Sequence, residues 1–402
     1  MSRFESLFPQ EGATIEAVAE RLKPVFRPFD PEVVDFLDAL SRDLFKLTRV
    51  EPALAPLAFF IRRSNLVALA DDASARVPAG AIASPQGAVL HVPPTNVDTL
   101  FLYTLAISLL TGNANVVRIS KNAGPATHRI LDLLIARLRE HPSVARAVTI
   151  IQFDRDKDLL DTLSRLVDVR MIWGGDATVH AIRESRLSPF GKDLAFPDRV
   201  SLAALSVSAW LEADDATKTS VVEGLYNDTF WFDQMACSSP VQLILTGGTD
   251  AQSREVESDL ARRLAEVADV RYQDVDGQAI NKMVDLIRGI DRGLSGIDWV
   301  SNSVVTARGA ELSDAVSLRP GGGFFTVQHV DDLLAVAAQV TRRVQTLSTF
   351  GYGRDELVAL AESANGRGID RIVPIGHALD FAVVWDGMDL VSELLRLTTV
   401  DA

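Results

Sequence analysis

The sequence predicts an α/β protein in which two lobes are each built around a parallel β-sheet. From Gly87 onward, short apolar segments alternate with amphipathic segments of helical length, a pattern typical of strands joined by crossover helices. A second stretch of the same kind begins near Ser201. Between the two stretches, residues 187–199 contain two prolines and a glycine, which indicates the boundary between the lobes.

The individual elements follow from apolar periodicity and from end signals, taken in chain order. The first is an amphipathic helix whose start is marked by Asp30, a capping residue, and by Pro31 in the first turn. In the first lobe we predict strands at residues 88–92, 116–119, 148–151 and 169–173, and helices at residues 99–110, 126–140 and 159–166. In the second lobe we predict strands at residues 201–207, 241–245 and 300–306, and helices at residues 220–232 and 251–268.

Composition and charge exclude several classes of protein. With 402 residues, of which 47% are hydrophobic, the chain can bury a sizeable core in each lobe. Its net charge of -14 argues against a nucleic-acid partner, since phosphate binding requires clustered Lys and Arg. The most apolar segment, residues 100–110, is shorter than the roughly 18 residues that a membrane-spanning helix needs. The N-terminus lacks the features of a signal peptide, so we expect a cytoplasmic protein without a membrane span.

Cys237 is the only cysteine and lies in the run Phe232-Asp233-Gln234-Met235-Ala236-Cys237-Ser238-Ser239-Pro240. A single thiol cannot form an internal disulfide or a multi-cysteine metal site. Two interpretations remain, a buried small hydrophobe or a nucleophile. The position between a predicted helix and a predicted strand favours the nucleophile, because rigid elements would hold the backbone while the side chain faces a cleft.

Glycine-containing turns are the other candidate site. The Gly-x-Gly-x-x-Gly fingerprint of dinucleotide binding is absent. Two turns stand in its place, Gly112-Asn113-Ala114-Asn115 and Trp173-Gly174-Gly175-Asp176. Glycines after a strand let the backbone approach a phosphate or a ring closely. None of the six histidines pairs with another at metal-ligand spacing, so no metal site is predicted.

Four segments occur in the order seen in the aldehyde dehydrogenase superfamily, which the chain therefore resembles. They are residues 85–96, residues 109–121, the turn after Trp173 and residues 234–240. Within that superfamily the chain is most similar to the LuxC-like long-chain acyl-CoA reductases, over roughly residues 80–395. That similarity is carried by Asn96-Val97-Asp98-Thr99-Leu100-Phe101, Cys237-Ser238-Ser239-Pro240, Ile375-Gly376-His377-Ala378-Leu379 and Trp385-Asp386-Gly387. Among the histidines, only His377, in the segment Ile375-Gly376-His377-Ala378-Leu379, is a candidate functional residue.

The resemblance implies an aldehyde-dehydrogenase-like fold of two Rossmann-like α/β lobes with a small oligomerisation element. Residues 1–199 are then an N-terminal helical segment followed by a nucleotide-binding domain, and residues 200–370 are the thiol-bearing catalytic domain. Residues 371–402 form a C-terminal segment that returns to the first lobe or to an oligomer interface. We expect a homo-oligomer.

The resemblance also implies a chemistry for particular residues. Cys237 occupies the nucleophile position, where a thiolate attacks an acyl thioester and holds the chain covalently before hydride from a nicotinamide releases an aldehyde. Asn96 matches the side-chain amide that receives the oxyanion of the tetrahedral intermediate. Pro94, Thr95, Gly174 and Gly175 match cofactor-binding positions. The alternative for Asn96 is an ordinary turn residue after Pro93-Pro94-Thr95.

The charge of one turn predicts the cofactor. NAD-specific relatives carry a glutamate that accepts hydrogen bonds from the adenosine ribose, whereas this chain has Arg118, Ser120 and Lys121 in the matching region. Two cations with a hydroxyl between them would bind a 2'-phosphate, so NADPH is predicted. The alternative is that Arg118 and Lys121 are solvated loop charges.

Departures from the oxidising dehydrogenases bear on the direction of the reaction. Ala195 falls where those enzymes carry a water-activating glutamate, and Glu184 or another carboxylate is the candidate replacement. A thioester without such a base survives to meet hydride or thiol, which favours reduction. The chain also lacks the superfamily's later glycine, near Val179, and the glutamate that usually holds the nicotinamide ribose, in the segment 319–324, whose triple glycine is either specific or a flexible turn.

We therefore expect NADPH-dependent reduction of a fatty acyl thioester to the aldehyde. The acyl donor would be acyl-CoA or acyl-carrier protein, with an acyl-protein ligase or acyltransferase as a further candidate partner. One alternative is another CoA-acylating aldehyde dehydrogenase or an acyl-phosphate reductase on the same fold. A second alternative is an inactive scaffold subunit of an acyl-transfer complex.

Overall fold

The computed structural model describes residues 4–10, 14–94, 97–154, 156–273, 277–309, 312 and 317–401. The chain divides into two compact units: unit 1 is Met1–Asp198 with Asp380–Ala402, and unit 2 is Arg199–Leu379. The divisions thus fall at 198/199 and 379/380, compared with the 199/200 and 370/371 expected from sequence.

Unit 1 is an α/β layer structure with a six-stranded sheet. The strands of unit 1, only some of which belong to this sheet, are β1 (Glu5–Phe8), β2 (Ala81–Pro85), β3 (Ala88–Val92), β4 (Ala114–Ile119), β5 (Val148–Gln152), β6 (Val169–Trp173), β7 (Lys192–Phe196), β15 (Val384–Trp385), β16 (Met388–Asp389) and β17 (Leu395–Thr399). Its helices are α1 (Ile15–Glu20), α2 (Pro31–Leu47), α3 (Ala55–Phe60), α4 (Arg63–Arg76), α5 (Leu100–Leu110), α6 (Pro125–Glu140), α7 (Pro142–Ala145), α8 (Lys157–Leu166), α9 (Asp176–Arg183) and α16 (Leu390–Glu393), with a 3-10 turn at Pro52–Leu54.

The strand order of the unit 1 sheet is β1-β5-β4-β3-β6-β7. Strands β3 to β7 are parallel to one another, and β1 is an edge strand that pairs antiparallel with β5. The chain adds strands on one side of β3 and then crosses to the other side at β6, which makes a topological switch point between β3 and β6. Outside this sheet, β17 pairs with β2 and β15 pairs with β16.

Burial explains why the strands and helices of the first lobe could be predicted from the sequence. All five residues of β3 are buried, as expected for a parallel strand covered on both faces. All eleven residues of α5 are buried as well, so this apolar helix belongs to the core. The start of α2 is as predicted, because the Asp30 side chain accepts from the Glu32 N–H at 3.0 Å and Pro31 occupies the first turn.

Unit 2 contains a seven-stranded sheet with helices on its faces. Its strands are β8 (Val200–Ser206), β9 (Pro240–Thr246), β10 (Ser295–Trp299), β11 (Val305–Arg308), β12 (Phe324–Val330), β13 (Val344–Phe350) and β14 (Arg371–Pro374). Its helices are α10 (Val207–Glu212), α11 (Asp215–Phe230), α12 (Asp250–Arg271), α13 (Gln278–Ile290), α14 (Leu334–Gln339) and α15 (Arg354–Ala364). The strand order is β10-β11-β12-β9-β8-β13-β14, and every pairing except β10 with β11 is parallel.

One predicted strand is wrong. Residues 300–306 do not form a single strand, because the chain turns between β10 and β11. The Ser301 hydroxyl accepts from the N–H groups of Ser303 and Val304, at 3.1 and 3.2 Å, and the Ser301 N–H donates to the Val304 carbonyl. A serine that captures nearby backbone donors favours a turn over a strand.

The parallel α/β prediction is otherwise confirmed, with shifted ends. Helix α11 begins at Asp215, earlier than the predicted residue 220, because the Asp214 side chain caps it by accepting from the Thr217 N–H at 2.8 Å. It ends before the predicted residue 232, because the backbone becomes left-handed at Asp233 and Gln234, with φ of 52° and 61°.

The length of the apolar helices bears on whether the chain could cross a lipid bilayer. Within the described ranges, no single helix is both long and apolar enough to cross one. The pair Pro52–Phe60 and Arg63–Arg76, bent by 45°, satisfies length and composition only when taken together.

Candidate active site

The thiol lies at the amino-terminal edge of the unit 2 sheet. Cys237 is half-buried in the connection between α11 and β9, three residues before β9 begins. Since β8, β9, β12 and β13 are parallel, their amino ends meet at this one edge. The edge therefore collects residues from four separate parts of the chain.

Gln234 fixes the loop that carries the thiol. Its side chain is buried, and its Nε2 donates to the carbonyls of Pro240 and Phe324 at 2.8 and 3.0 Å. Its Oε1 accepts from the N–H groups of Gly323 and Phe324 at 2.9 and 3.1 Å. The amide thus makes four bonds to backbone, which joins the thiol loop to β9 and β12.

The triple glycine is a specific packing element and not merely a flexible turn. Gly321, Gly322 and Gly323 all have positive φ, at 81°, 60° and 83°. A Cβ at Gly323 would lie 1.9 Å from the Ser303 carbonyl oxygen, and one at Gly322 would lie 2.0 Å from Gln278 Oε1. Side chains therefore cannot be accommodated here without displacing backbone or a neighbouring amide.

Ser201, on β8, holds the thiol loop from the other side. Its Oγ donates to the Cys237 carbonyl at 2.7 Å and accepts from the Thr346 N–H at 3.1 Å. The strand register is interrupted here, because Val344 pairs with Val200 whereas Leu347 pairs with Leu202. The Ser201 hydroxyl therefore accepts from the Thr346 N–H, which in an uninterrupted parallel ladder would donate to a backbone carbonyl.

The thiol itself is in contact with a side-chain amide. Gln345 Nε2, on β13, donates to the Cys237 Sγ at 3.4 Å. The Gln345 side chain is buried, and the residue's own carbonyl accepts from the Asp370 N–H at 2.8 Å. Sequence reasoning missed both Ser201 and Gln345.

A buried cation adjoins the same edge and was also missed. Arg199 is only 7% exposed, yet its guanidinium donates to the Asp370 carboxylate at 2.5 Å and to the Val344 carbonyl at 2.7 Å. Arg199 thus contacts Val344, the residue before Gln345, and Asp370, whose N–H donates to the Gln345 carbonyl. The ion pair with Asp370 offsets the cost of burying this charge.

His377 is exposed and follows the carboxyl end of β14. The segment that carries it is held by Asp228 of α11, whose buried carboxylate accepts from the N–H groups of Gly376 and Ala378 at 2.7 and 3.0 Å. The contacts with Asp228 therefore give the segment Ile375-Gly376-His377-Ala378-Leu379 a structural role, which is to attach it to α11. Across the described parts of the chain, no group of three or more His, Cys, Asp or Glu side chains could hold a metal ion.

The predicted cofactor residues of unit 1 gather at the carboxyl edge of its sheet. Pro94 follows β3, Ser120 and Lys121 follow β4, and Gly174 and Gly175 follow β6. These three strands are adjacent and parallel, and β3 and β6 border the switch point where open α/β sheets bind ligands. Thr95 and Asn96 lie outside the described residues.

Arg118, Ser120 and Lys121, the three residues predicted to bind the 2'-phosphate, differ in their local contacts. Arg118 Nε donates to the Phe153 carbonyl at 3.1 Å, and its guanidinium lies 5.4 Å from the centre of the Phe153 ring. Ser120 Oγ accepts from the Asn122 N–H at 3.2 Å, and the Lys121 side chain is exposed. The Lys121 N–H donates to Asp154 Oδ1 at 3.4 Å, so a carboxylate that sequence reasoning overlooked lies beside this turn.

Gly175 provides a test of whether a nucleotide fits this edge. Gly175 precedes α9, and a Cβ built on it would meet no heavy atom within 4 Å, so the space above it is open. Val179, which replaces the later glycine, is buried in the unit 1 core. The open N-terminus of α9 is compatible with a phosphate, although Asp176 in its first turn opposes one.

The residues considered for the general base are all in unit 1. Ala195 lies in β7, and Glu184 is an exposed residue at the C-terminal cap of α9. The structure of unit 1 therefore gives Ala195 a strand position, and Glu184 an ordinary helix-end position.

A family model described as acyl-CoA reductase (LuxC) matches residues 70–397. The chain belongs to this family. A curated relative, the long-chain acyl-protein thioester reductase of Vibrio harveyi, is 24% identical to this LuxC-family chain over 304 residues. The match covers 73% of this chain but 59% of that relative, so the chain spans less than two thirds of the relative's length.

Solved structures agree with the family in fold. The 1-pyrroline-5-carboxylate dehydrogenase of Thermus with bound NAD has a TM-score of 0.64 at 14% identity, covering 96% of this chain and 85% of that one. The glyceraldehyde-3-phosphate dehydrogenase of Methanocaldococcus jannaschii complexed with NADP has a TM-score of 0.65 at 12% identity, covering 96% and 91%. This LuxC-family chain therefore has an aldehyde-dehydrogenase-like fold.

Proposed function

We propose that this protein reduces a fatty acyl thioester to the aldehyde with NADPH, through an acyl group held on Cys237. The observation that carries the proposal is the sheet-edge site in which the Cys237 sulfur accepts from the buried Gln345 amide at 3.4 Å. Gln234 and Ser201 hold the backbone on either side of the sulfur. A thiol fixed in this way, in a family of acyl-CoA reductases, is suited to nucleophilic catalysis.

In the first half-reaction the Cys237 thiolate attacks the thioester carbonyl. A new carbon–sulfur bond forms, the bond to the leaving thiol breaks, and the departing thiolate takes a proton from solvent. Asn96 is proposed to receive the oxyanion, as its position in the family-like segment implies. The acyl chain is then a thioester of the protein.

The second half-reaction releases the aldehyde. Bound NADPH would supply the hydride that the acyl carbon needs. The carbon–sulfur bond to Cys237 then breaks, which returns the thiolate and releases the aldehyde. The residues proposed to hold the cofactor are Pro94, Thr95, Arg118, Ser120, Lys121, Gly174 and Gly175.

The choice of NADPH rests on Lys121 and Arg118, with one opposing observation. Lys121 is exposed at the end of β4, where a 2'-phosphate could reach it. Asp154 lies beside the same turn, and a carboxylate there would repel that phosphate and accept hydrogen bonds from a ribose. We favour NADPH because both side chains proposed to meet the phosphate are cationic.

The acyl donor is proposed to be acyl-CoA or an acyl-protein thioester. The family description specifies acyl-CoA, whereas the Vibrio harveyi relative is named for acyl-protein thioesters. Both donors present the same thioester carbonyl to Cys237, so the site described here serves either one.

Intact-protein mass spectrometry tests the proposal. Incubation with an acyl-CoA in the absence of NADPH should add one acyl mass to the wild type and none to Cys237→Ala. Addition of NADPH should then remove that mass and release aldehyde. Acylation of Cys237→Ala would sink the proposal, and acylation by acyl phosphates alone would favour the acyl-phosphate alternative.

A further inference from the structure

Gln345 is the residue whose placement the sequence and the family leave unexplained. Its side chain is 3% exposed, and its Nε2 lies 3.4 Å from the Cys237 sulfur. Its Oε1 lies 3.4 Å from Thr346 Oγ1, which is consistent with the oxygen pointing to a donor and the amide nitrogen pointing to the sulfur. A buried amide hydrogen is thus directed at the atom that would react.

The strand geometry accounts for this direction. From Val344 to Leu347, β13 advances three residues while β8 advances two, from Val200 to Leu202. An extra residue in one strand bends it and re-aims its side chains. The extra length falls on the segment that contains Gln345, and Ser201 occupies the gap by accepting the Thr346 N–H.

We propose that Gln345 is a catalytic residue that donates a hydrogen bond to the Cys237 sulfur whenever the sulfur is negatively charged. This inference rests on the proposed function. In that reaction the sulfur is negative twice, as the attacking thiolate and as the thiolate that leaves when the aldehyde is released. It is neutral in between, in the acyl-enzyme. The same N–H therefore favours the thiolate over the thiol before the first bond forms, and it stabilises the thiolate that leaves when the last bond breaks.

The Gln345 amide also differs from a carboxylate in that it cannot act as a general base toward water. Glutamine donates to the sulfur but does not accept a proton at its nitrogen, so it cannot activate water beside the thioester. A glutamate at this position would be of nearly the same size and could act as a base. Gln345 is therefore expected to favour thiolate chemistry and to preserve the acyl-enzyme until it is reduced.

Alkylation by iodoacetamide tests the donor role without any acyl substrate. At a fixed pH near neutrality, Gln345→Met should alkylate at Cys237 about tenfold more slowly than the wild type, since it removes a hydrogen bond to a charged acceptor. Gln328→Met is the matched control: this glutamine lies on β12 of the same sheet and bonds to Gln339 Oε1 at 3.1 Å, away from the thiol. Equal alkylation rates for Gln345→Met and the wild type would overturn the inference.

The lifetime of the acyl-enzyme provides a second readout in Gln345→Glu, whose side chain keeps the size of glutamine. After acylation without NADPH, this variant should lose its acyl mass to water several-fold faster than the wild type, and it should alkylate more slowly because a carboxylate repels the thiolate. Unchanged hydrolysis together with unchanged alkylation would contradict the assignment. If the wild type is never acylated, the proposed function fails, whereas the alkylation rates still decide the role of Gln345.

Discussion

At the scale of single residues, the candidate site depends on polar side chains that make backbone contacts. Ser201 is the clearest case, because one hydroxyl joins the Cys237 carbonyl to the Thr346 N–H. Ser201 is itself fully buried, and Thr346 is 1% exposed. Water therefore cannot readily replace the bonds that this hydroxyl makes.

Ser201→Ala is expected to destabilise the protein by about 1 to 3 kcal/mol, because it leaves a buried N–H without its acceptor. It should also slow acylation of Cys237, since the loop loses one of its supports. Urea unfolding and the acylation rate by mass spectrometry measure the two effects. Ser348→Ala is the matched control, a buried serine of β13 whose Oγ donates to the Leu202 carbonyl at 3.3 Å. If both variants slow acylation equally, the specific role of Ser201 is wrong.

At the scale of elements, short connections at strand ends determine both proposed sites. The thiol loop is left-handed at Asp233 and Gln234, and it packs on a turn of three left-handed glycines. The Gly322 N–H donates to the Asp233 carbonyl at 3.0 Å, so each turn stabilises the other. In unit 1, the turn after β4 carries Lys121 with Asp154 beside it.

The turn after β4 allows a test of cofactor preference. Lys121→Glu should lower kcat/KM for NADPH about tenfold or more while barely changing that for NADH, because a carboxylate replaces a charge-assisted contact to the 2'-phosphate. Asp154→Asn should move the ratio toward NADPH, since it removes a repelling charge. The measurement is kcat/KM for both cofactors at a saturating acyl-CoA concentration.

Lys157→Glu is the control for that test. Lys157 is an exposed lysine of unit 1 that pairs with Asp161 at 3.3 Å, so the same charge reversal there should leave the cofactor ratio unchanged. Equal losses for NADH and NADPH in Lys121→Glu would show that this lysine does not discriminate the phosphate.

At the scale of the whole molecule, we expect the buried His91 to make the free energy of unfolding depend on pH. Its ring lies in the unit 1 core, with Nδ1 3.0 Å from Thr104 Oγ1 and Nε2 3.0 Å from Asn115 Oδ1. Burial lowers the pKa of His91 to about 4, while the hydrogen bond to Asn115 opposes that shift. The folded protein therefore keeps this ring neutral at pH values where the unfolded chain protonates it.

Between pH 6.5 and about 4 the unfolded state binds more protons at His91, so stability falls as pH decreases through this window. The His91 contribution to the free energy of unfolding is fully present above pH 6.5, and about 2 to 3 kcal/mol of it should be lost by pH 4.5. Urea unfolding of the wild type and His91→Gln at pH 7.5 and 4.5 measures the difference. His180→Gln, at an exposed helix position, should keep the wild-type pH dependence. An identical pH dependence for His91→Gln and the wild type would contradict the assignment.

The sequence by itself determined the α/β class, the lobes of β3, β4, β5, β6, β8 and β9, and the position of Cys237 before β9. These features depend on local periodicity and on nearby end signals such as Asp30 and Pro31, which a linear sequence contains in full. The sequence did not predict β12 or β13, which border the thiol. The prediction for residues 300–306 was wrong because the hydroxyl of Ser301 captured two backbone N–H groups, a choice that apolar content does not reveal.

Only the tertiary structure decided what surrounds the thiol. Ser201 and Gln345 are 36 and 108 residues from Cys237 in the chain, and they reach it because parallel strands bring their amino ends to one edge. The register interruption that directs Gln345 arises from the pairing of β13 with β8, and no local pattern encodes such a pairing. The physical reason is that hydrogen bonds between strands depend on which segments become neighbours, whereas helix and strand propensities act within a few residues.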